Sequence, residues 1–334
     1  MNQGLTSGLY LDPNELAPST TTTQAQLRAS ADLVKIGMAG GLSDFRLVTA
    51  GGSATWASAI GYNGQRAGYT QSPTESVNYV SSHDNQILWD ILQYKLPTGT
   101  ATADRVRADE LALDVVLLGQ GVPFFHLGDE ILRSKSMDKN SYDSGDWFNR
   151  IDWTLQANGW KSGLPNAGDD KGNWPVIGPV FADPTAAAGP ADVAAAWAHL
   201  QEVLRIRKSS PLLHLGTRAD VLTRVDFLNA GPAQVDGVIV MTVTDGTCAG
   251  ADLDPARDAV VVIVNVDKVA HALPVPGATG FTLHALEQAS ADPVVKTASF
   301  DAGTSTFTVP ARTTAVFEEL QSGAQGAGLP CNTR

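Results

Sequence analysis

His83, Asp84 and Asn85 stand side by side in the run Tyr79-Val80-Ser81-Ser82-His83-Asp84-Asn85. A His and an Asp delivered together by a strand end to the mouth of a helix is how α/β barrels place catalytic groups. The flanking residues fit that arrangement. Val77 to Val80 reads as a short buried strand, and Asn85-Gln86-Ile87-Leu88-Trp89-Asp90 opens a helix that runs to residue 95 and stops at Pro97. The plain alternative is a surface pair, or an Asp84 that simply N-caps that helix. No candidate for a catalytic carboxylate pair stands upstream in a convincing context.

The elements that must hold this turn alternate helix and strand signals from 24 to 208. A helix is expected over Gln24 to Met38, closed by Gly40-Gly41. Ala103 to Leu118 reads as a largely buried helix, with Leu111, Val115 and Leu118 at helical spacing. Gly121 ends it, and Val122-Pro123-Phe124-Phe125-His126-Leu127 follows as a short apolar strand. A polar excursion from Gly128 to Pro190 holds Trp147, Trp153, Trp160 and Trp174, so it is read as anchored rim loops. Ala191 to Lys208 is a helix with Val193, Trp197, Leu200 and Leu204 on one face.

After Pro211 the pattern changes to short β-rich runs between Gly, Pro and Asp turns. These are Val221-Leu222, Gly237 to Val243, Ala259 to Val266, Phe281 to Leu286, Thr306 to Val309 and Thr313 to Leu320. Their spacing predicts an antiparallel sandwich. Gln321 to Arg334 is Gly-rich and reads as a flexible tail.

At 334 residues there is room for two domains. The formal net charge of -12 argues against nucleic acid, which needs clustered Lys and Arg. No run of 18 apolar residues exists to cross a membrane, and residues 1–10 lack the basic and apolar regions of a signal peptide. Cys248 and Cys331 belong to no CxxC or His-rich pattern, so zinc and thiol chemistry are poor fits. They are equally consistent with one disulfide or two thiols.

Several segments carry a resemblance. In order they are 8–14 (Gly-Leu-Tyr-Leu-Asp-Pro-Asn), Asp44-Phe45-Arg46, Tyr62-Asn63-Gly64-Gln65, Ala67-Gly68-Tyr69-Thr70, the strand and turn of 77–85, and 119–125 (Gly-Gln-Gly-Val-Pro-Phe-Phe). The most specific is 134–149, Ser-Lys-Ser-Met-Asp-Lys-Asn-Ser-Tyr-Asp-Ser-Gly-Asp-Trp-Phe-Asn. Over nearly its whole length the chain resembles the C-terminal part of bacterial pullulanases and limit dextrinases, α-1,6-glucosidases of the α-amylase superfamily. The His-Asp-Asn strand end alone points only to the superfamily; the 134–149 run points to its debranching branch.

The resemblance implies α/β plus all-β architecture: the C-terminal part of a (β/α)8 barrel over 1–208, an antiparallel β-sandwich over 209–320, and a tail over 321–334. It implies retaining cleavage of α-1,6 branch points in pullulan, amylopectin or limit dextrin, with two carboxyl groups about 5 Å apart. By match, Asp84 is a transition-state stabiliser rather than the nucleophile, and His83 grips a sugar hydroxyl. Asn85, Lys139 and Asn140 are matched to substrate contacts; for Lys139 and Asn140 the plain alternative is a loop-packing role. The family more often carries Arg-Asp where Lys139-Asn140 stands; Lys keeps the charge but loses the bidentate fork. The family's nucleophile, in an Arg-x-Asp strand end, and its acid, in a Glu strand end, both precede the His-Asp element. The 82 residues before His83 contain neither, so the chain is expected to be inactive alone.

Arg224-Val225-Asp226 and Glu130 are decoys: the first lies in the β-rich region, the second on the barrel rim. His126, His199, His214, His271 and His284 read as structural, Trp89 and Tyr94 as core. Trp147, Phe148, Tyr142 and Asp146 fit loop anchors and sugar contacts equally. The chemistry requires no cofactor, and calcium is compatible with the sequence but not indicated by it. The parent is expected to be secreted or on the bacterial envelope. The alternative of another class is a non-catalytic carbohydrate-binding or structural module; an upstream reading frame encoding the missing strand ends would separate the two.

Overall fold

The computed structural model describes residues 11–15 and 23–334. The first part of the resemblance at 8–14, residues 8–10, lies outside the described residues. The chain divides into two compact units that interleave along the sequence. One takes the described part of Met1–Thr23 with Tyr79–Leu113 and Phe124–Gln201. The other takes Gln24–Asn78, Asp114–Pro123 and Glu202–Arg334. This division cuts across the expected one at 208.

The first unit is helical. Its longer helices are Leu88–Lys95, the start of Thr102–Leu118, Trp174–Ala182 and most of Pro190–Ser209. Trp89 is fully buried with Val106, Ile131, Leu132, Val193 and Ala196. Tyr94 packs in a second cluster with Met137, Ile177 and Val180. The 128–190 excursion is tied down locally. Trp160 meets Phe181 edge-on at 5.1 Å between centroids, and Trp174 donates its indole N–H to the Pro165 carbonyl at 3.1 Å.

The second unit is built on two antiparallel sheets. A five-stranded sheet has the order Phe281–Leu283, Thr313–Leu320, Arg257–Asn265, Val238–Thr244, Val225–Phe227. A three-stranded sheet has the order His271–Pro274, Thr306–Val309, Ser299–Asp301. The two share one apolar core. Val238, Val240, Val261 and Ile263 face it from one side, Leu273, Phe307 and Val309 from the other. Phe307 makes edge contacts with Phe281 and Phe317 at 5.3 and 4.8 Å. Val238–Thr244 and Arg257–Asn265 are buried at nearly every residue because their second face is covered too. The helix Gln24–Met38 and the turn Pro211–Leu213 lie there. A strand covered on both faces loses the alternation of apolar and polar residues.

This unit also holds a parallel pair, Val77–Asn78 with Val122–Pro123. Asn78 donates its amide to the Gly37 carbonyl at 3.1 Å, so the Gln24–Met38 helix lies on that side. Gly121 must be glycine: its φ is +148°, and a Cβ there would sit 2.7 Å from the Asn78 amide nitrogen. Among the described residues no closed barrel is formed.

Several expectations need correction. The Val77 to Val80 strand is two residues long and not buried: Val77 is 51% exposed, and Tyr79 and Val80 are exposed as well. Among the described residues it pairs on one edge only, and its face away from Gly37 is uncovered. The strand expected over 122–127 likewise stops at Pro123, leaving Phe124 and Leu127 exposed. Val221-Leu222 is not a strand but lies in the helix Arg218–Arg224, started by Thr217 accepting from the Asp220 N–H and braced by the Arg224–Asp220 ion pair. The run expected to Leu286 is strand only to Leu283, because His284 caps the short helix Ala285–Gln288. Leu204 faces solvent; Val203 and Ile206 are the buried positions of that turn.

The tail is not frayed. It lacks regular structure, but Cys331 is disulfide-bonded to Cys248, Leu329 is buried, and Asn332 donates to the Thr223 and Val225 carbonyls. Among the described residues no helix is long and apolar enough to cross a membrane.

Candidate functional site

The helix after the His-Asp pair begins at Leu88, not at Asn85. Its N-cap is Ile87, whose side chain makes no capping bond. Asp84 therefore does not cap it, which removes the capping reading and leaves the surface pair as the plain alternative. The His83 and Asp84 side chains are 87% and 74% exposed, with the imidazole Nε2 3.6 Å from the carboxylate. Asn85 follows in the left-handed region at φ +62°, a conformation Asn tolerates better than most residues. The three residues thus form a turn whose side chains point to water.

The turn is held from its backbone. Lys135, itself buried, places its Nζ 2.7 Å from the Asn85 carbonyl and 3.4 Å from the His83 carbonyl. Lys135 is held in turn by Asp90, on the buried face of the Leu88–Lys95 helix. Asp90 accepts from the Lys135 N–H at 2.8 Å, the Met137 N–H at 3.1 Å and the Ser134 hydroxyl at 2.5 Å. Burial pushes the Asp90 carboxyl up to about 6, while those donors and the Lys135 charge hold it down.

Lys139 and Asn140 belong to the same loop. The Lys139 N–H donates to Asp170 at 3.2 Å. The Asn140 N–H donates to Asp138 at 2.7 Å, and its side-chain amide to Asp169 at 3.1 Å. Both side chains are half-buried. The segment 134–140 therefore links both predicted groups, gripping the 83–85 turn through Lys135 and carrying Lys139 and Asn140 itself. Further along, Phe148 is buried while Trp147 is 58% exposed and Tyr142 83% exposed. Phe148 is thus the loop anchor. The Trp147 ring lies over Gly145, where a Cβ would be 2.2 Å from it.

Behind the turn, Asp129 accepts from the Ser81 hydroxyl at 2.7 Å, and burial pushes its carboxyl up to about 7. Glu130 accepts from the Gly128 N–H at 2.9 Å, closing the rim turn. His126 is driven down to about 4 by burial, with the charges of Arg133, Lys135 and His83 acting the same way. It stays neutral at pH 7. Among the described residues no three His, Cys, Asp or Glu side chains are arranged to hold a metal ion.

Residues 155–320 match the family described as alpha-1,6-glucosidases, pullulanase-type, C-terminal. The pullulanase of Klebsiella pneumoniae is 44% identical over 333 residues, covering all of this chain and 30% of its own length. Pullulanase 1, chloroplastic, of Arabidopsis thaliana is 39% identical over 330 residues, covering 97% of this chain and 34% of its own. The chain belongs to the pullulanase-type family. It spans about a third of the length of these curated relatives. The maltotriose complex of PulA from Klebsiella pneumoniae superposes with a TM-score of 0.93 at 44% identity, over 98% of this chain and 35% of that one.

In this pullulanase-type chain both decoys have structural partners. Arg224 is buried, ion-paired with Asp220 and Asp245, and donates to the Ala251 carbonyl at 2.7 Å. Asp226 pairs with Arg334. Of the other histidines, His271 bonds Asp267 at 2.9 Å. His284 accepts the Leu286 N–H on Nδ1, so its Nε2 carries the proton toward Ser209. That tautomer cannot take a proton from Ser209, so the pair is a strut and not a nucleophile. Sequence reading missed Asp90 and Lys135. The one local signal was a carboxylate inside the apolar run 87–92, Ile-Leu-Trp-Asp-Ile-Leu.

Proposed function

We propose that the chain is the ancillary part of a retaining α-1,6-glucosidase that debranches pullulan, amylopectin or limit dextrin. In this reading Asp84 stabilises the transition state, His83 grips a sugar hydroxyl, and Asn85, Lys139 and Asn140 line the substrate. The nucleophile and the proton donor come from a part of the parent enzyme matched by none of these residues. One observation carries the proposal. The His83-Asp84 pair is exposed at its side chains, fixed at its backbone, and sits in a chain that pullulanases match along its length.

The same reading takes 1–208 as the trailing part of a (β/α)8 barrel and 209–320 as a β-sandwich. Support for the first is the parallel pair 77–78 and 122–123 with helices after each strand. Support for the second is the two antiparallel sheets on one core. The Cys248–Cys331 disulfide favours a secreted or envelope setting for the parent, where oxidised cysteines persist. The assigned chemistry needs no cofactor.

Maltotriose titrated into the isotope-labelled chain tests the contact residues. Resonances of 83–85 and 139–140 are expected to shift, with a dissociation constant around the millimolar range that part of a cleft supplies. Shifts confined to other residues would remove the assignment.

A further inference from the structure

We propose that Lys135 is a positioning residue that locks the 83–85 turn by clamping the backbone carbonyls on either side of Asp84. The inference deepens the glucan reading above and rests on it for what the turn meets. The turn needs an external hold. Its only ion pair described at the side chains is the mutual one between His83 and Asp84, and both groups are open to water. Exposed pairs of this kind contribute little order. Asn85 sits at φ +62°, a left-handed conformation that Asn adopts more readily than most residues but that its surroundings must still select.

Lys135 supplies that hold. Its side chain is almost fully buried, and desolvating an ammonium is costly unless its donors are satisfied. Two of its acceptors are the carbonyls of His83 and Asn85, the residues flanking Asp84. The anchor behind it is rigid, because Asp90 sits on a helix and binds three donors of the 134–137 segment. The Ser136 N–H adds a bond to the Ser134 hydroxyl at 2.8 Å. The helix therefore fixes the loop, the loop fixes the lysine, and the lysine fixes the turn.

The test is Lys135→Met in the full chain, which keeps the length of the side chain and removes the ammonium. Backbone 15N order parameters of 84–86 are expected to fall from about 0.85 to below about 0.6. Those of the five-stranded sheet should stay unchanged. Unchanged order at 84–86 would overturn the proposal. A second variant guards against a general folding defect. Both natural cysteines are disulfide-bonded, so Lys135→Cys carries the only thiol. Aminoethylation in urea without reductant, followed by refolding, rebuilds an ammonium of lysine length. Order should return in this form and not in the carboxamidomethylated control; equal order in the two would also overturn the proposal. Maltotriose separates the clamp from the glucan reading. Lys135→Met should weaken its binding about tenfold, as should His83→Ala, which removes the grip on a sugar hydroxyl. If the turn loosens in Lys135→Met but His83→Ala binds maltotriose normally, the clamp stands and the glucan reading fails.

Discussion

Replacing Asp84 by alanine in an intact enzyme carrying this segment is expected to lower turnover on pullulan about a thousandfold, the scale of losing one preorganised electrostatic group at a reacting centre. The expected change in melting temperature is small. Both halves follow from the geometry. The carboxylate is 74% exposed, caps no helix, and has one ion-pair partner, the equally exposed His83. Truncating such a side chain normally changes stability by less than about 0.5 kcal/mol. Its proposed work is done only when positive charge develops on the sugar, so the loss should fall on kcat more than on KM. His83→Ala should cost less, since it removes one hydrogen bond to a hydroxyl. Steady-state kinetics and a thermal melt of the same preparations check both halves. Near-full debranching by Asp84→Ala would show that this turn is not the stabiliser.

Opening the disulfide is expected to destabilise the chain by about 4 kcal/mol in the loop-closure account, since the cross-link closes a long loop. Cys248 and Cys331 are 83 residues apart, and the loop between them holds most of both antiparallel sheets. The bond also holds a segment with no helix or strand of its own. Without it, the tail keeps the buried Leu329, the Asn332 bonds to two backbone carbonyls, the Arg334–Asp226 ion pair, and the bonds of Gln325 and Gly326 to the Asp245 carbonyl and the Asp258 carboxylate. Urea unfolding of the chain with and without reductant gives the difference. Coincident curves would mean that the tail is secured by its other contacts alone.

The parts of this molecule that sequence made legible are those whose signal is local. The helices at 24–38, 102–118 and 190–209 are long and punctuated by Gly and Pro. The His83-Asp84-Asn85 turn shows itself because three polar residues stand together after an apolar run. What stayed hidden depends on distant partners. Asp90 and Lys135 lie 45 residues apart, and neither pattern announces the other. Val221-Leu222 is too short to show a period, so its cap at Thr217 and the Asp220–Arg224 pair decide for helix. The tail looked flexible because Gly-rich composition says nothing about a disulfide to residue 248. The burial assigned to Val77 and Val80 assumed cover on both faces, and the described residues supply it on one.

The central claim is that this chain carries stabilising and substrate-positioning groups of a debranching site but not its nucleophile and proton donor. Retaining cleavage requires both, about 5 Å apart. The most direct measurement is a reducing-end assay on pullulan and limit dextrin with purified residues 1–334, run beside an intact pullulanase. No release above background is expected from the chain at any enzyme concentration that leaves the intact control readily measurable. Release of linear oligosaccharides by the chain would contradict the account and make Asp143, Asp146 and Glu130 the first residues to replace.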